Sequence, residues 1–539
     1  MKSNLLLLAL LLPMSILAQV KTSKDFNIDV GKPYPVVDAP IKEYFHHDGE
    51  ILAIKIHGDI TYQKFNANSL DFKSMSELSK KKEMPKGFVH EEFVQQGERI
   101  FQFYNVWDKP NKTEQIFVQE LTFSNPKPKK SRLLFKVNGK LISQMGQNKI
   151  EIYQSFNESN YLIVYRRKPT EKKDKKSFDK IGMMVFDEDM QEVWKKEVTM
   201  PYTEANMDNL GYTIDSQGNA YVLARVREGE KEGKEARLEV MMYDGGDEPE
   251  ILEIKADGKH FPHGITLHEG KNNKTYCAGF YGEGNSANGV YVSVLGKNGI
   301  ENEQFYDIPL DIINQNKSER TQKKNAKKED AGKEIGIYEL GLDEIVINPD
   351  GSFVLLSEVF YIRTTTSYNS SSHSTTTTYH YYYMEMFMAK ISADGEMVWM
   401  NKMPKNQKRS TSSGGYGFGI NSSAYYSKSL NYDLSYKYLK NSTDHYLLYL
   451  DNVKNLTLAN NKYPAMHSSG KGGYLTAYKI NDSSGEVSKL SLFDMKNVNG
   501  VAVYQFNTDR FIQTSEDELL LELYKKKKED ILLRININE

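Results

Sequence analysis

The chain has 539 residues, 26% of them charged, and a formal net charge of −2 at pH 7. This near-neutral balance argues against a general nucleic-acid binder, because phosphate recognition relies on an excess of lysine and arginine. The single cysteine, Cys277, excludes a disulfide framework. Its apolar surroundings, KTYCAGFYG, indicate a buried, inert thiol rather than a nucleophile.

The N-terminus has the pattern of a secretory signal peptide. Lys2 precedes an apolar run over residues 5–12, and SILAQ follows that run. This order is typical of exported proteins. We therefore expect residues 1–18 to be removed and the mature protein to be in the periplasm, or alternatively extracellular or associated with the outer membrane. The run is shorter than the roughly 20 residues of a membrane-spanning helix. Residues 19–42 are expected to form an N-terminal extension.

Short strands dominate the rest of the chain. Runs rich in β-branched and aromatic residues are bounded by Asn, Asp, Gly or Ser, as is typical of strands. Examples are EILAIKIHG, RIFQFYNVW, YLIVYRR, GVYVSVLG and HYLLYLD. We therefore predict an all-β protein.

A strand–turn–strand unit recurs in both halves. MMVFDEDMQEVWKKEVTMP matches FMAKISADGEMVWMNKMP, with Asp189 aligned to Asp394 and Trp194 to Trp399. Asp and Gly are the residues that such turns favour. Two hairpins per unit make a four-stranded antiparallel sheet, and repetition of these sheets indicates a β-propeller.

The unit count predicts seven blades over residues 43–539. The first unit, near 43–72, and the last, near 498–538, look incomplete. Because sheet edges need to be covered, we expect these two to combine into one closing blade. Eight blades, two smaller propellers or a set of β-sandwich domains remain alternatives.

Metal ligands are one candidate site. The stretch DGKHFPHGITLHEG places Asp257, His260, His263 and His268 within a dozen residues. Imidazole and carboxylate groups could hold a transition metal if a loop brought them together. The spacing matches no established metal motif, so hydrogen-bonded surface histidines are the alternative, and no cofactor is expected.

Two segments interrupt the repeats. Residues 314–336 are highly charged and indicate a mobile or helical insertion between blades. Residues 360–390 contain no charged side chain between Arg363 and Glu385. Because Thr and Tyr are strong strand formers, we predict an overlong hairpin there, with its tip near Ser367–Ser374.

Tyrosines are the candidate binding residues, because tyrosine offers a large contact area at low entropic cost. Some lie on one face of the hairpin's second strand by alternation, and others lie in the glycine- and tyrosine-rich stretch that follows. The candidates are Tyr379, Tyr381, Tyr383, Tyr416, Tyr425 and Tyr426. The alternative is that both segments are surface insertions with no binding role.

A resemblance is carried by SILAQ and by KISADGEMVWMNKMPKNQKR, in which Trp399, Pro404, Lys405 and Gln407 follow an Asp-Gly turn. These features resemble uncharacterised exported β-propeller-like proteins of Bacteroidota, and the similarity extends through STDHYLLYLDNVKN. The resemblance implies a propeller fold and export, and it implies no known activity.

No motif of a known reaction is found in the sequence, whether G-x-S-x-G, a P-loop, H-E-x-x-H or a dinucleotide fingerprint. The hypothesis is therefore a monomeric, non-catalytic propeller that binds a protein or glycan partner in the bacterial envelope. The alternative is a carbohydrate hydrolase or lyase with an active site on the propeller axis. A compact cluster of Asp, Glu and His on that axis would favour the enzyme.

Overall fold

The computed structural model describes residues 23–143, 148–168, 171, 173–227, 236–254, 260–271, 274–296, 299–371, 373–412, 434–458, 462–503, 510–525 and 527–538. Within these ranges the protein is all-β, as predicted. Short antiparallel sheets follow one another along the chain. None of the helices in the same ranges is long and apolar enough to cross a membrane.

The first strands, β1 (Phe26–Val30) and β2 (Tyr34–Pro35), precede blade one. Blade one comprises β3 (Ile41–His47), β4 (Glu50–His57), β5 (Asp59–Asn66) and β6 (Phe72–Leu78). After helix α1 (Lys80–Glu83), blade two comprises β7 (Val89–Gln96), β8 (Arg99–Asp108), β9 (Thr113–Thr122) and β10 (Arg132–Asn138). Blade three comprises β11 (Ile150–Gln154), β12 (Asn160–Arg166), β13 (Phe178–Asp187) and β14 (Glu192–Thr203). Blade four comprises β15 (Met207–Ile214), β16 (Ala220–Arg227), β17 (Ala236–Tyr243) and β18 (Glu250–Ile254).

Blades five and six carry additional elements. Blade five comprises β19 (Pro262–Glu269), β20 (Thr275–Tyr281), β22 (Gly289–Gly296) and β23 (Gly299–Asp307), and a separate ribbon pairs β21 (Ser286–Ala287) with β24 (Ile337–Tyr338). Helices α2 (Leu310–Asn314) and α3 (Glu319–Asp330) follow blade five. Blade six comprises β25 (Leu340–Ile347), β26 (Phe353–Asn369), β27 (Ser374–Ile391) and β28 (Met397–Met403), with an extra strand β29 (Gln407–Ser412).

Blade seven comprises β30 (Tyr436–Lys440), β31 (Asp444–Asp451), β33 (Tyr474–Asn481) and β34 (Val487–Asp494). A 3-10 helix (Val453–Asn455) and the short strand β32 (His467–Ser468) lie between β31 and β33 in sequence. Blade eight comprises β35 (Phe511–Gln513), β36 (Glu518–Lys525), β37 (Glu529–Ile537) and the N-terminal strand β1. The closing blade therefore joins the two ends of the described chain.

Eight hydrophobic clusters connect these sheets into a closed ring. Each cluster is built from two neighbouring blades, and the last cluster joins blade eight to blade one. Within β4, for example, Leu52 and Ile54 pack toward blade two, while Ile51 and Ala53 pack toward blade eight. Because both faces of a central strand are buried, its sequence is a continuous apolar run rather than an alternating one. The fold is a β-propeller.

The described residues form eight blades, the alternative to seven that the sequence left open. Residues 41–78 supply all four strands of blade one, so this unit is complete and does not contribute to the closing blade. The outer strand of blade eight is β1, in which Phe26 pairs with Ile537. Residues 26–35 therefore belong to the propeller, whereas the sequence placed them in an N-terminal extension. Residues 1–18 lie outside the described part of the chain.

The recurring Trp of the strand–turn–strand unit joins one blade to the next. Trp194 on β14 donates its indole N–H to the carbonyl of Gly218 in blade four, at 2.9 Å. Trp399 on β28 donates to the carbonyl of Asp482 in blade seven, at 2.8 Å. A Cβ added at Gly485 would lie 2.7 Å from the Trp399 ring, so the glycine permits this close approach. The repeat therefore encodes packing between blades, which accounts for its lack of catalytic residues.

A buried polar cluster closes the ring between blades eight and one. Lys55 on β4 donates to Glu522 on β36 at 2.6 Å, and both side chains are fully buried. Tyr34 donates to the same carboxylate at 2.9 Å. Asp530 on β37 lies 3.6 Å from Arg510. Burial, followed by the nearby charge of Glu522, raises the pKa of Asp530 to about 7.

Candidate binding cleft on blade six

Blade six extends beyond the propeller as a three-stranded arm. The arm consists of residues 360–369 of β26, residues 374–383 of β27, and β29. Strand β27 pairs with β28 in the blade, through Met386–Ile391, and with β29 in the arm, through Thr378–Tyr383. On the far side, β29 makes a short parallel pairing with β32. The uncharged tract from the sequence is therefore a structured hairpin rather than a spacer.

The base of the arm is fixed by a buried ion pair. Lys405 donates to Glu358, and neither side chain is exposed. Lys405 also donates to Gln407 at 3.0 Å, and Ser435 donates to the second carboxylate oxygen of Glu358 at 2.8 Å. The side-chain amide of Gln407 donates to the carbonyl of Leu450 in blade seven at 2.8 Å. This network joins β26, the start of β29 and blade seven, so it sets the position of the arm.

One face of the arm is covered at its base. Phe360 and Tyr383 pack together at a ring separation of 4.9 Å and, with Leu434, form a small hydrophobic cluster. Ile362 and Tyr381 pack against this cluster and are partly buried. Tyr383 is fully buried. The expectation that Tyr383 is a binding residue is therefore corrected, because its ring is part of this core.

The opposite face carries an aromatic stack with two cations. Tyr361 and Tyr382 stack at 4.8 Å with an interplanar angle of 16°. The Arg363 guanidinium lies 5.2 Å from the Tyr361 ring centre, and the Lys408 ammonium lies 5.2 Å from that of Tyr382. Cations over aromatic faces are favourable, and tyrosine presents both an apolar ring and a polar hydroxyl to a ligand. We call this face the aromatic face.

A cleft of about 630 Å³ lies between the arm and the helical insertion. Helices α2 and α3 form one wall, and the base of β26 and β27 forms the other. The lining of the cleft includes Lys317, Tyr338, Glu339, Tyr361, Arg363, Glu385 and Tyr463. Tyr338 is 65% exposed and Tyr463 is 40% exposed, so the cleft presents accessible aromatic surface.

The helical wall is tied to blade six by two lysines. Lys317 pairs with Glu385 at 2.8 Å. Lys402 donates to the carbonyls of Ile313 and Gln315, at 2.8 and 3.0 Å, and thereby caps the end of α2. Burial, followed by the nearby charge of Lys317, lowers the pKa of Lys402 to about 8. These contacts indicate a preformed wall, which reduces the entropic cost of binding.

The remaining candidate tyrosines do not lie on the aromatic face of the arm or lie outside the described residues. Tyr379 and Tyr381 lie on the arm face that packs against Leu434 at its base, opposite the aromatic face. Tyr416, Tyr425 and Tyr426 lie outside the described residues. The sequence candidates did not include Tyr382, which alternation places on the opposite strand face. They also did not include Tyr361, which pairs with Tyr382 in the hairpin.

The three described histidines of the candidate metal site are not brought together. His260 packs edge-on against Tyr281 at 5.0 Å. His263 contacts the carbonyl of Ser286 at 3.0 Å, and burial lowers the pKa of His268. His263 and His268 are five residues apart on β19, or about 15 Å in a strand. Asp257 lies outside the described residues. Among those described, no group of three His, Cys, Asp or Glu side chains is positioned to hold a metal ion.

Two carboxylates on the first strands of the blades, Asp208 and Glu91, are engaged by neighbouring residues. These strands contact one another around the ring, as β11 does with β15 and β15 with β19. Asp208 pairs with Arg225 at 2.8 Å and also with Arg227. Glu91 accepts from Asn105 and from the amide of Lys149, and burial raises its pKa to about 7. These groups connect strands and blades, and their contacts suit a structural role.

Comparisons with known proteins give remote similarities only. No family model matches the chain, and no curated protein matches it. A solved prolyl endopeptidase structure is 10% identical over 90% of this chain, with a TM-score of 0.38, and the chain spans 54% of that protein. The WD40 domain of SCAP from fission yeast is 11% identical over 96% of this chain and 99% of its own, with a TM-score of 0.35. An uncharacterized Listeria monocytogenes protein is 9% identical over 82% of this chain and 94% of its own, with a TM-score of 0.35.

Proposed function

We propose that this protein is a non-catalytic propeller that binds a protein or glycan partner of the bacterial envelope through the cleft on blade six. The observation that carries the proposal is the aromatic face, where stacked Tyr361 and Tyr382 are flanked by Arg363 and Lys408. Tyrosine and arginine are enriched at binding hot spots. The signal-peptide pattern at residues 1–18 supports placing this binding in the periplasm or at the outer membrane.

The composition of the cleft favours binding over hydrolysis. A carbohydrate hydrolase generally needs two carboxyl groups facing the scissile bond, one of them kept protonated. The carboxylates that line the cleft are Glu339 and Glu385. Glu385 is paired with Lys317, and Glu339 accepts from Asn285 at 3.2 Å. Both carboxylates therefore act in contacts that shape the cleft.

The test is capture of envelope components by the purified protein, with crosslinking and mass spectrometry for proteins and an array for glycans. Tyr361→Ser and Tyr382→Ser should each reduce recovery of the captured partner at least tenfold. Phe156→Ser is the matched control, because Phe156 is an aromatic residue, 45% exposed, in blade three. Unchanged recovery with both tyrosine variants would refute the cleft as the binding site. Release of reducing sugar from a glycan would instead support the enzyme.

A further inference from the structure

The outer edge of β26 is open where the arm leaves the blade. Strand β25 covers that edge only from Phe353 to Val359. At Glu339, just before β25, the backbone takes a left-handed φ of 58° and the chain turns away toward the insertion. Beyond Phe360, none of the described strands pairs with this side of β26. Among the described residues, no strand therefore continues the line of β25 along the arm.

The orientation of the backbone shows which groups face the vacancy. The amide of Phe360 donates to the carbonyl of Glu339, on the open side of β26. Because orientation alternates along a strand, the amides and carbonyls of Ile362, Thr364 and Thr366 face the same side. Residues 361–368 would accommodate a strand of about eight residues, or roughly 26 Å.

In the part of the chain that the structure describes, this edge has little of the usual protection against pairing. Native edge strands are typically protected by charges, proline, bulges or a covering element. Residues 361–369 carry only one charge, Arg363, and no proline. Residues 363–368 are exposed. An edge of this kind is a template for β-augmentation, in which main-chain hydrogen bonds supply affinity and pockets for alternate side chains supply specificity.

The positive charge of the arm favours an acidic partner. Its three strands contain Arg363, Lys408 and Arg409, and no carboxylate from residue 360 to 383 or in β29. Helix α3, which lines the cleft, carries five cationic side chains and three carboxylates. The whole chain is close to neutral. The local excess of positive charge therefore complements an acidic ligand.

We propose that an acidic, extended segment of a partner protein adds as a strand to the open edge of β26. One of its apolar side chains enters the cleft beside Tyr361 and Tyr463. This inference rests on the proposed function and narrows the partner from protein or glycan to an acidic polypeptide. A second copy of this chain and a glycan are the competing occupants.

The experiment is a selection from a fully randomised eight-residue peptide display library, using the purified protein. We expect the enriched peptides to be acidic, with apolar residues at alternate positions. The best peptide is synthesised in two forms, each N-methylated on one alternate set of amides. One form should lose affinity at least tenfold and the other should not, because only one set faces β26. Equal binding of both forms, or no enrichment, would overturn the proposal.

Matched variants locate the binding edge. Thr364→Pro removes an outward amide but leaves the pairing with β27, since the amide of residue 364 points away from that strand. Thr364→Ala keeps the amide and controls for the side chain. Peptide affinity should fall at least tenfold for Thr364→Pro and less than twofold for Thr364→Ala, with both variants folded by circular dichroism. Equal affinities would contradict addition at this edge.

The outcomes separate this inference from the proposed function. If Tyr361→Ser reduces partner capture while Thr364→Pro does not, the cleft binds and the strand-addition proposal is wrong. If Thr364→Pro and both tyrosine variants, Tyr361→Ser and Tyr382→Ser, all leave capture unchanged, both proposals fail. A concentration-dependent dimer in sedimentation that Thr364→Pro abolishes, without any peptide binding, would replace the partner segment with a second copy of this chain.

Discussion

Replacing Lys405 with Met should strongly destabilise the protein, because it leaves the Glu358 carboxylate buried without its cation. Both side chains are fully buried, and the Ser435 hydroxyl also donates to Glu358 at 2.8 Å. Breaking a buried pair by removing one partner costs about 3–5 kcal/mol. Met matches the length of the lysine stem, so packing loss is small and the electrostatic loss dominates.

The expected shift in melting temperature follows from chain length. Unfolding entropy is about 2.1 cal/mol/K per residue, or roughly 1.1 kcal/mol/K for a chain of this size. A loss of about 3–5 kcal/mol therefore lowers Tm by about 3–5 °C if the ring unfolds as one unit. Differential scanning calorimetry at pH 7 measures the shift, and hydrogen exchange shows whether amides 361–383 lose protection first.

Two companion variants test the reasoning. Lys73→Met breaks the exposed pair with Glu50, at 2.9 Å, and should cost less than about 1 kcal/mol. Adding Glu358→Leu to Lys405→Met should recover most of the loss, because no buried charge then remains. In the single variant, loss of the lysine charge should raise the pKa of the buried Glu358 carboxyl, so the deficit in Tm should grow as pH rises. A shift for Lys405→Met no larger than that for Lys73→Met would refute the argument.

Three further outcomes follow from the blade contacts. Because the folded pKa of Asp530 is raised to about 7, its stabilising contribution is complete below the unfolded pKa and is lost as pH rises through 7. Asp530→Asn should therefore raise Tm at pH 8 and change it little at pH 4, in thermal melts across that range. Trp399→Phe removes the hydrogen bond to Asp482 and should cost about 1 kcal/mol in denaturant unfolding. Trp107→Phe on β8 should cost less, because phenylalanine keeps an aromatic ring under Lys140 there. Phe26→Ala removes a buried ring of β1 that packs on Tyr446 at 5.1 Å and should cost about 3–5 kcal/mol. Hydrogen exchange should show early loss of amide protection in β1. Unchanged protection would contradict closure of the ring by that strand.

The fold could be predicted because its signals are local. Strand composition and Asp-Gly turns identify hairpins within ten to twenty residues, and Trp194 and Trp399 mark equivalent ones. The blade count required a contact between opposite ends of the chain. Strand β1 is only five residues long, and its partner Ile537 lies more than 500 positions away from Phe26. No local pattern reveals such a pairing, so the closing strand was read as an extension.

The candidate site was located in part. Alternation separated the two faces of the hairpin correctly, as the register from Phe360 to Asn369 shows. It could not show which face is covered. The covering residue, Leu434, comes from a later segment, and helix α3, which lines the cleft, comes from an earlier one. Tyr383 was therefore expected to bind a partner, and Tyr361 was overlooked. Which face is exposed depends on tertiary contacts that the period of a strand does not contain.

Blade six concentrates features that contribute little to closing the ring. The inter-blade clusters on both of its sides are continuous without the arm, since they are built mainly from residues within the blades. A buried ion pair such as Lys405–Glu358 is generally no more stabilising than well-packed apolar residues, and an open edge of eight residues is an aggregation hazard. These two costs occur at the base and along the edge of the same arm. The binding role proposed for the arm would account for both of them, because the ion pair holds β26 and β29 in place while no described strand covers the edge that would accept the partner.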